Sequence, residues 1–187
     1  SSSPPAHATV VVANRLPVAD AGPSVRGSKN ELVTLHGSGT DADGDPLSYD
    51  WSQTGWPDAN LTQTARPFLS FMPQKVGNYT FRLVVNDGEQ DSEPSSATVM
   101  VEARPPEAVL SANASLTYLK TDVELSAEKS SDVDGAIVRY FFDFGDGTDS
   151  GWTNASVTVH AYTRPGVFNA TLRVRDEDGL ISPVSAP

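Results

Sequence analysis

The sequence predicts an all-β chain built as two tandem β-sandwiches. Three observations carry this: apolar and polar residues alternate in short runs, the same runs recur in the same order, and turn residues separate them at intervals of about 8 to 12 residues. No stretch shows sustained helical periodicity. In the first copy the runs are "ELVTLHG" (31–37), "LSYDWSQ" (47–53) and "NYTFRLVVND" (78–87). In the second they are "TDVELSA" (121–127), "AIVRYFFDF" (136–144) and "NATLRVRD" (169–176).

Side chains on a strand alternate between its two faces, so the longest runs sort themselves. Tyr79, Phe81, Leu83 and Val85 turn inward and leave Asn78, Thr80 and Arg82 outside. Phe168, Ala170, Leu172 and Val174 turn inward and leave Asn169, Thr171, Arg173 and Arg175 outside. A length of 187 residues with 14 Gly and 14 Pro fits two small cores better than one large one. The expected layout is an N-terminal strand segment at 1–14, a first sandwich at 15–104 and a second at 105–187, joined through "EARPPEA". Pro105 and Pro106 restrict that joint and remove backbone donors from it.

With no cysteine the chain has neither disulfides nor thiolate metal sites. A formal charge of -11 argues against a nucleic-acid surface and favours solubility or cation binding. No apolar run approaches the roughly 20 residues that span a bilayer, so membrane insertion of this segment is not expected.

The segment "AHATVVVANRLP" (6–17) is a near-copy of "SSATVMVEARPP" (95–106), pairing Thr9 with Thr98, Val10 with Val99, Val12 with Val101 and Arg15 with Arg104. "ATVVVAN" therefore reads as the last strand of a preceding repeat or as a donor strand. The second sandwich, by the same alignment, lacks its own last strand. A missing edge exposes unpaired backbone groups, so the expected partners are neighbouring repeats or other copies of the chain, joined through open sheet edges.

The second copy resembles a known family. "YFFDFGDGTDSG" followed by "VTVHAYTRPGVFNATLRVRDEDG" is similar to the polycystic-kidney-disease (PKD) repeat, with its aromatic-Asp-Phe-Gly-Asp-Gly segment, His-x-Tyr, Pro-Gly and final Val-x-Asp. Phe142 stands where the family usually has Trp, which preserves an aromatic core filler. In the first copy "PVADAG", "VTLHGSGTDADGDPLSYDWSQ" and "YTFRLVVNDGEQDS" resemble cadherin-like relatives of the family, with His36 where such repeats often carry Asp. The resemblance implies an immunoglobulin-like seven-strand sandwich for each domain.

The chemistry-bearing pattern is acidic. "TDADGDPLS" sets Asp41, Asp43 and Asp45 at alternating positions of a Gly-containing loop, a spacing that can aim several hard oxygens at one cation. "SDVDG" offers Asp132 and Asp134, and the strand ends supply Asp87, Asp176 and Asp178. In the sandwich that the resemblance implies, Asp41, Asp43 and Asp87 converge at one pole, as do Asp132, Asp134 and Asp176. Carboxylates in flexible loops favour Ca²⁺ over Zn²⁺ or Mg²⁺, and the expected role is a structural one, stiffening the joint. No glutamate stands at the twelfth position of an EF-hand. The same aspartates also cap turns without any ion, and the sequence leaves both readings open.

Five of the eight asparagines, Asn60, Asn78, Asn113, Asn154 and Asn169, lie in Asn-x-Ser/Thr sequons, the pattern of a glycosylated surface protein. Asn78 and Asn169 are expected on outward faces at equivalent places of the two repeats. Enzymatic constellations are absent: His7, His36 and His160 are isolated, and Asp143 and Asp146 belong to a turn signature. Of the tryptophans, Trp51 is expected in the core, while Trp56 and Trp152 in turn regions raise the alternative of sugar stacking. The reading is a non-catalytic extracellular structural or adhesive repeat of a surface layer, stalk or filament. The alternative is an accessory module of a secreted protease or polysaccharide hydrolase that contacts surface glycans.

Overall fold

A computed structural model describes residues 7–62 and 64–185; the start of the 1–14 segment and the final two residues of 105–187 lie outside the described residues. The chain divides between Val101 and Glu102 into two units. Among the described residues there is no helix, and both units are β-sandwiches.

The first unit contains β1 (Val18–Asp20), β2 (Val25–Ser28), β3 (Val33–His36), β4 (Ser38–Thr40), β5 (Ser48–Gln53), β6 (Phe68–Phe71), β7 (Gly77–Asn86) and β8 (Ser95–Glu102). One sheet runs β2-β8-β7-β5, a second pairs β3 with β6, and β1 pairs with β4. The expected inward residues of β7, Tyr79, Phe81, Leu83 and Val85, are all fully buried, beside Trp51 of β5. The indole N–H of Trp51 donates to the Arg66 carbonyl at 3.1 Å, which satisfies the one polar atom that this large side chain takes inside.

The second unit contains β9 (Ser111–Ala112), β10 (Asp122–Ser126), β11 (Ile137–Asp143), β12 (Asp149–Thr153), β13 (Val157–Ala161) and β14 (Thr171–Asp176). Its sheets run β13-β10-β9 and β12-β11-β14. Phe142 takes the place that Trp51 has in the first unit and is fully buried with Leu172 and Val174. The turn after β11 needs Gly145: its φ is +76°, and a Cβ there would lie 2.5 Å from the carbonyl oxygen of Asn169.

The last strand of the second unit is shorter than its sequence predicts, starting at Thr171 rather than Asn169. In the first unit the matching stretch is held by β8, which pairs Gly77 with Val101 and Phe81 with Ala97. In the second unit no described strand lies along that edge, and a strand without ladder partners does not form. The approach to such a partner is nevertheless built. Ser92 in the first unit donates its N–H to the Val85 carbonyl and accepts the Val85 N–H on its hydroxyl. Ser182 does the same with Val174, and Ser185 with Leu172.

The segment "ATVVVAN" forms no strand here, contrary to its sequence pattern. Val10, Val11 and Val12 are 82%, 85% and 90% exposed, because no sheet edge among the described residues pairs with them.

Candidate functional site

The aspartates of each unit are gathered by the same local devices. In the first unit Asp41 folds its loop into an Asx turn, its Oδ1 accepting the N–H of Asp43 at 2.8 Å and of Asp45 at 3.1 Å. Asp87 closes the turn after β7, its Oδ1 accepting the N–H groups of Glu89 and Gln90 at 2.8 and 2.7 Å. Two consecutive residues then bring the loops together: the Asn14 side-chain amide donates to Asp87 Oδ2 at 2.8 Å, and the Arg15 N–H donates to Asp43 Oδ2 at 2.9 Å. The Gln90 N–H first, and then the Asn14 amide, hold the Asp87 carboxyl below its ordinary range.

The second unit repeats this plan with one change. Asp132 Oδ1 accepts the Asp134 N–H at 3.3 Å, Asp176 Oδ1 accepts the Leu180 N–H at 2.7 Å, and Arg104 donates its N–H to Asp134 Oδ2 at 2.9 Å, as Arg15 does to Asp43. The residue before Arg104, however, is Ala103, which has no amide to offer where Asn14 serves Asp87. Asp176, only 1% exposed, is left with its Oδ2 buried and without a hydrogen-bond partner. Asp132 Oδ2 is in the same condition, and so is Asp41 Oδ2 in the first unit. Burial foremost, together with the neighbouring Asp134 and Asp176 carboxylates, pushes the Asp132 carboxyl above its ordinary value.

Thus the expected trios Asp41, Asp43 and Asp87 and Asp132, Asp134 and Asp176 are each drawn to one pole of their unit. Asp45 and Asp178 behave differently. The Asp45 backbone N–H serves the turn while its side chain is exposed, and Asp178 is exposed in the turn after β14. Among the described residues no group of three or more carboxylates or imidazoles stands at finished metal-ligand spacing.

The sequon asparagines Asn60, Asn78, Asn113, Asn154 and Asn169 are all exposed. Contrary to the expectation from sequence, Asn78 and Asn169 do not occupy equivalent places. With Asp87 matched to Asp176 and Leu83 to Leu172, Asn78 corresponds to Val167 and Asn169 to Thr80; both asparagines keep the outward parity. Asn113 Oδ1 also accepts the Glu124 N–H at 3.0 Å.

The other polar cluster is structural. His160 lies flat against Phe144, with ring centroids 4.0 Å apart, and its Nε2 is 2.8 Å from Asp146 Oδ2. Tyr162 meets His160 edge-on and stacks on Phe168, while its hydroxyl donates to the Phe144 carbonyl at 3.0 Å. The Thr148 hydroxyl foremost, and then His160, lower the Asp146 carboxyl from 3.8 to about 2. A depressed folded-state value gives stability that is present above the ordinary value and lost as pH falls through the depressed one. The second unit is therefore expected to lose stability between pH 3.8 and about 2. In melts across that window, Asp146→Asn should flatten this part of the acid limb. An unchanged limb would show that the pair contributes nothing.

Two family models cover nearly the whole chain: one described as K319L-like, PKD domain matches residues 21–101, and one described as PKD domain matches residues 103–185. The chain belongs to the PKD family. It consists of two tandem PKD domains, which are non-catalytic modules. It is 29% identical over 176 residues to the mouse dyslexia-associated protein KIAA0319-like protein, covering 89% of this chain and 17% of that protein. It is also 39% identical over 61 residues to collagenase ColQ1 of Bacillus cereus, covering 33% of this chain and 6% of the collagenase. The chain thus spans about a sixth of the KIAA0319-type relatives and less of the collagenases. Among solved structures it is similar to the PKD1 domain of Vibrio cholerae metalloprotease PrtV, with 29% identity, a TM-score of 0.36 and coverage of 44% of this chain and 93% of that one. No helix among the described residues is long and apolar enough to cross a membrane.

Sequence reasoning missed Asn14, whose amide hydrogen-bonds Asp87 in the first cradle, and the Arg15 and Arg104 N–H groups that tie the loops. The near-copy pairs Arg15 with Arg104, but a strand pattern does not show that their N–H groups serve the aspartate loops. It also placed Trp152 in a turn, whereas it lies half-buried in β12 against Phe141.

Proposed function

We propose that this chain is a calcium-stabilised, non-catalytic spacer of an extracellular or cell-surface protein. One observation carries the reading: in both units a buried aspartate oxygen at the loop cluster lacks a hydrogen-bond partner, Asp41 Oδ2 in the first and Asp132 Oδ2 and Asp176 Oδ2 in the second. A buried carboxylate oxygen without a partner is costly, and a hard divalent cation with oxygen ligands relieves several such oxygens at once. The residues fit Ca²⁺: Asp132, Asp134 and Asp176 would hold it in the second PKD domain, and Asp41, Asp43 and Asp87 in the first. The second site needs the ion more, because Asn14 supplies the first with a neutral substitute. Glycans on the exposed sequons suit the same setting. The test is thermal unfolding in calcium and in chelator; an unchanged melting temperature would reject the reading.

A second reading, that copies or neighbouring repeats join edge to edge in an adhesive or filamentous assembly, is favoured by a groove in the second domain. This groove, of about 740 Å³, is lined by Leu110, Leu116, Tyr118, Val167 and Phe168 among others. It lies where β8 sits in the first domain, and residues 8–13 carry the β8 pattern with their valines exposed. Sedimentation of the chain should show concentration-dependent association that is lost when residues 8–13 are deleted. A single monomeric species at every concentration would reject this reading. The third role, an accessory module that holds a secreted hydrolase near its substrate, is favoured by the similarity to the collagenase ColQ1.

A further inference from the structure

The outward face of the sheet β12-β11-β14 carries a cluster that the fold does not require. Phe141 stands opposite Trp152 on one neighbouring strand and Arg173 on the other, and Arg139 stands directly opposite Arg175. The two rings are 5.5 Å apart. The Arg173 guanidinium sits 4.7 Å above the Phe141 ring, and that of Arg175 sits 4.9 Å from the Trp152 ring.

Like charges placed directly opposite on a sheet cost stability. This chain has 24 acidic residues against 13 Lys and Arg, so counter-charges are plentiful. Yet among the described residues no carboxylate pairs with Arg139, Arg173 or Arg175, and the Arg175 Nε is buried without a hydrogen-bond partner. The first domain serves as an internal control. On its matching face Ser48, Asp50, Val84 and Asn86 stand where Arg139, Phe141, Arg173 and Arg175 stand here. The same sandwich therefore folds without the cluster.

We propose that this face of the second PKD domain binds an acidic polysaccharide, through carboxylate or sulfate groups. A guanidinium stacked on a ring is held in place while its two terminal nitrogens stay available, and these match a carboxylate or sulfate in a two-point contact. Arg173 and Arg175 alternate along one strand, so their Cα atoms lie roughly 7 Å apart along it, with Arg139 beside them. Such a row suits a polymer carrying repeated anions. An open sheet face suits an extended chain better than a small molecule, which needs a concave site. Single-stranded nucleic acid is the poorer match: it draws affinity from bases stacking on free ring faces, and here the guanidinium groups occupy them.

The test is affinity electrophoresis of the whole chain in chelator through gels containing polygalacturonate, chondroitin sulfate, neutral dextran or single-stranded DNA. The expected result is retardation by either acidic polysaccharide, not by dextran, with affinity reduced at least tenfold in the Arg139→Ala, Arg173→Ala, Arg175→Ala variant. Arg82→Ala, on the corresponding face of the first domain, should bind as the parent does. Equal retardation of the triple variant, no retardation by either acidic polysaccharide, or equal retardation by DNA would overturn the proposal. If the triple variant melts early, Arg173→Gln with Arg175→Gln, which keeps the stems over the rings, decides the matter by the same readout. Retention of full affinity by this pair would likewise overturn it.

Discussion

Phe142→Ala should lower the melting temperature of the second domain and leave that of the first in place. Phe142 is fully buried, and its truncation costs about 3–5 kcal/mol in transfer and cavity terms. The second core has little reserve. Its buried apolar set is Val123, Leu125, Ala127, Phe142, Phe144, Leu172 and Val174, whereas the first core has twice as many members and includes Trp51, Tyr79, Phe81 and Phe71. Domains of this size are stable by only about 5–15 kcal/mol, and each 1 kcal/mol moves the melting temperature by roughly 4–8 °C. Differential scanning calorimetry should therefore show one transition shifted down by roughly 15 °C or more and the other in place. Trp51→Ala should shift the opposite transition. If either substitution moved both transitions together, the cores would not be separate.

Calcium should raise the melting temperature of the second domain, and Asp132→Asn should mimic part of that rise while removing the response. The signs follow from the elevated Asp132 carboxyl. A carboxyl whose folded-state value lies above its unfolded one favours folding when protonated, and that advantage is lost as pH rises through the elevated value. At neutral pH the ionised cluster is thus a liability. Asparagine removes the charge yet keeps an acceptor for the Asp134 N–H, so in chelator the variant should melt above the parent. In calcium the order should reverse, because the variant has lost an anionic ligand. At a calcium concentration 100-fold above the dissociation constant, binding to the folded state alone adds about 2.7 kcal/mol. A variant that melts lower than the parent in chelator would contradict this account.

Much of this architecture is legible in the sequence, because a sandwich is written in alternation. The period-two runs place Tyr79, Phe81, Leu83 and Val85 in one core and Leu172 and Val174 in the other. The Asp-x-Asp loops and strand-end aspartates are legible as two trios, since loop and strand end meet at the same pole. Partner-dependent features are not legible. Residues 8–13 have a strand's pattern, but a strand forms only against a neighbour. Asn169 looks paired with Asn78 until the buried positions of β7 and β14 fix the register. The difference between the two cradles rests on Asn14 against Ala103, residues whose identity matters only once Arg15 and Arg104 are seen to tie the loops. The Arg173 and Arg175 contacts with Phe141 and Trp152 need cross-strand register, which a single sequence does not give.

The most direct measurement is native mass spectrometry of the chain titrated with calcium, alongside Asp176→Asn and Asp87→Asn. The account predicts two bound ions per chain, with the Asp176 variant losing the more tightly held ion and the Asp87 variant the weaker one. A chain that binds no calcium under these conditions, or one that binds equally with both aspartates replaced, would contradict it.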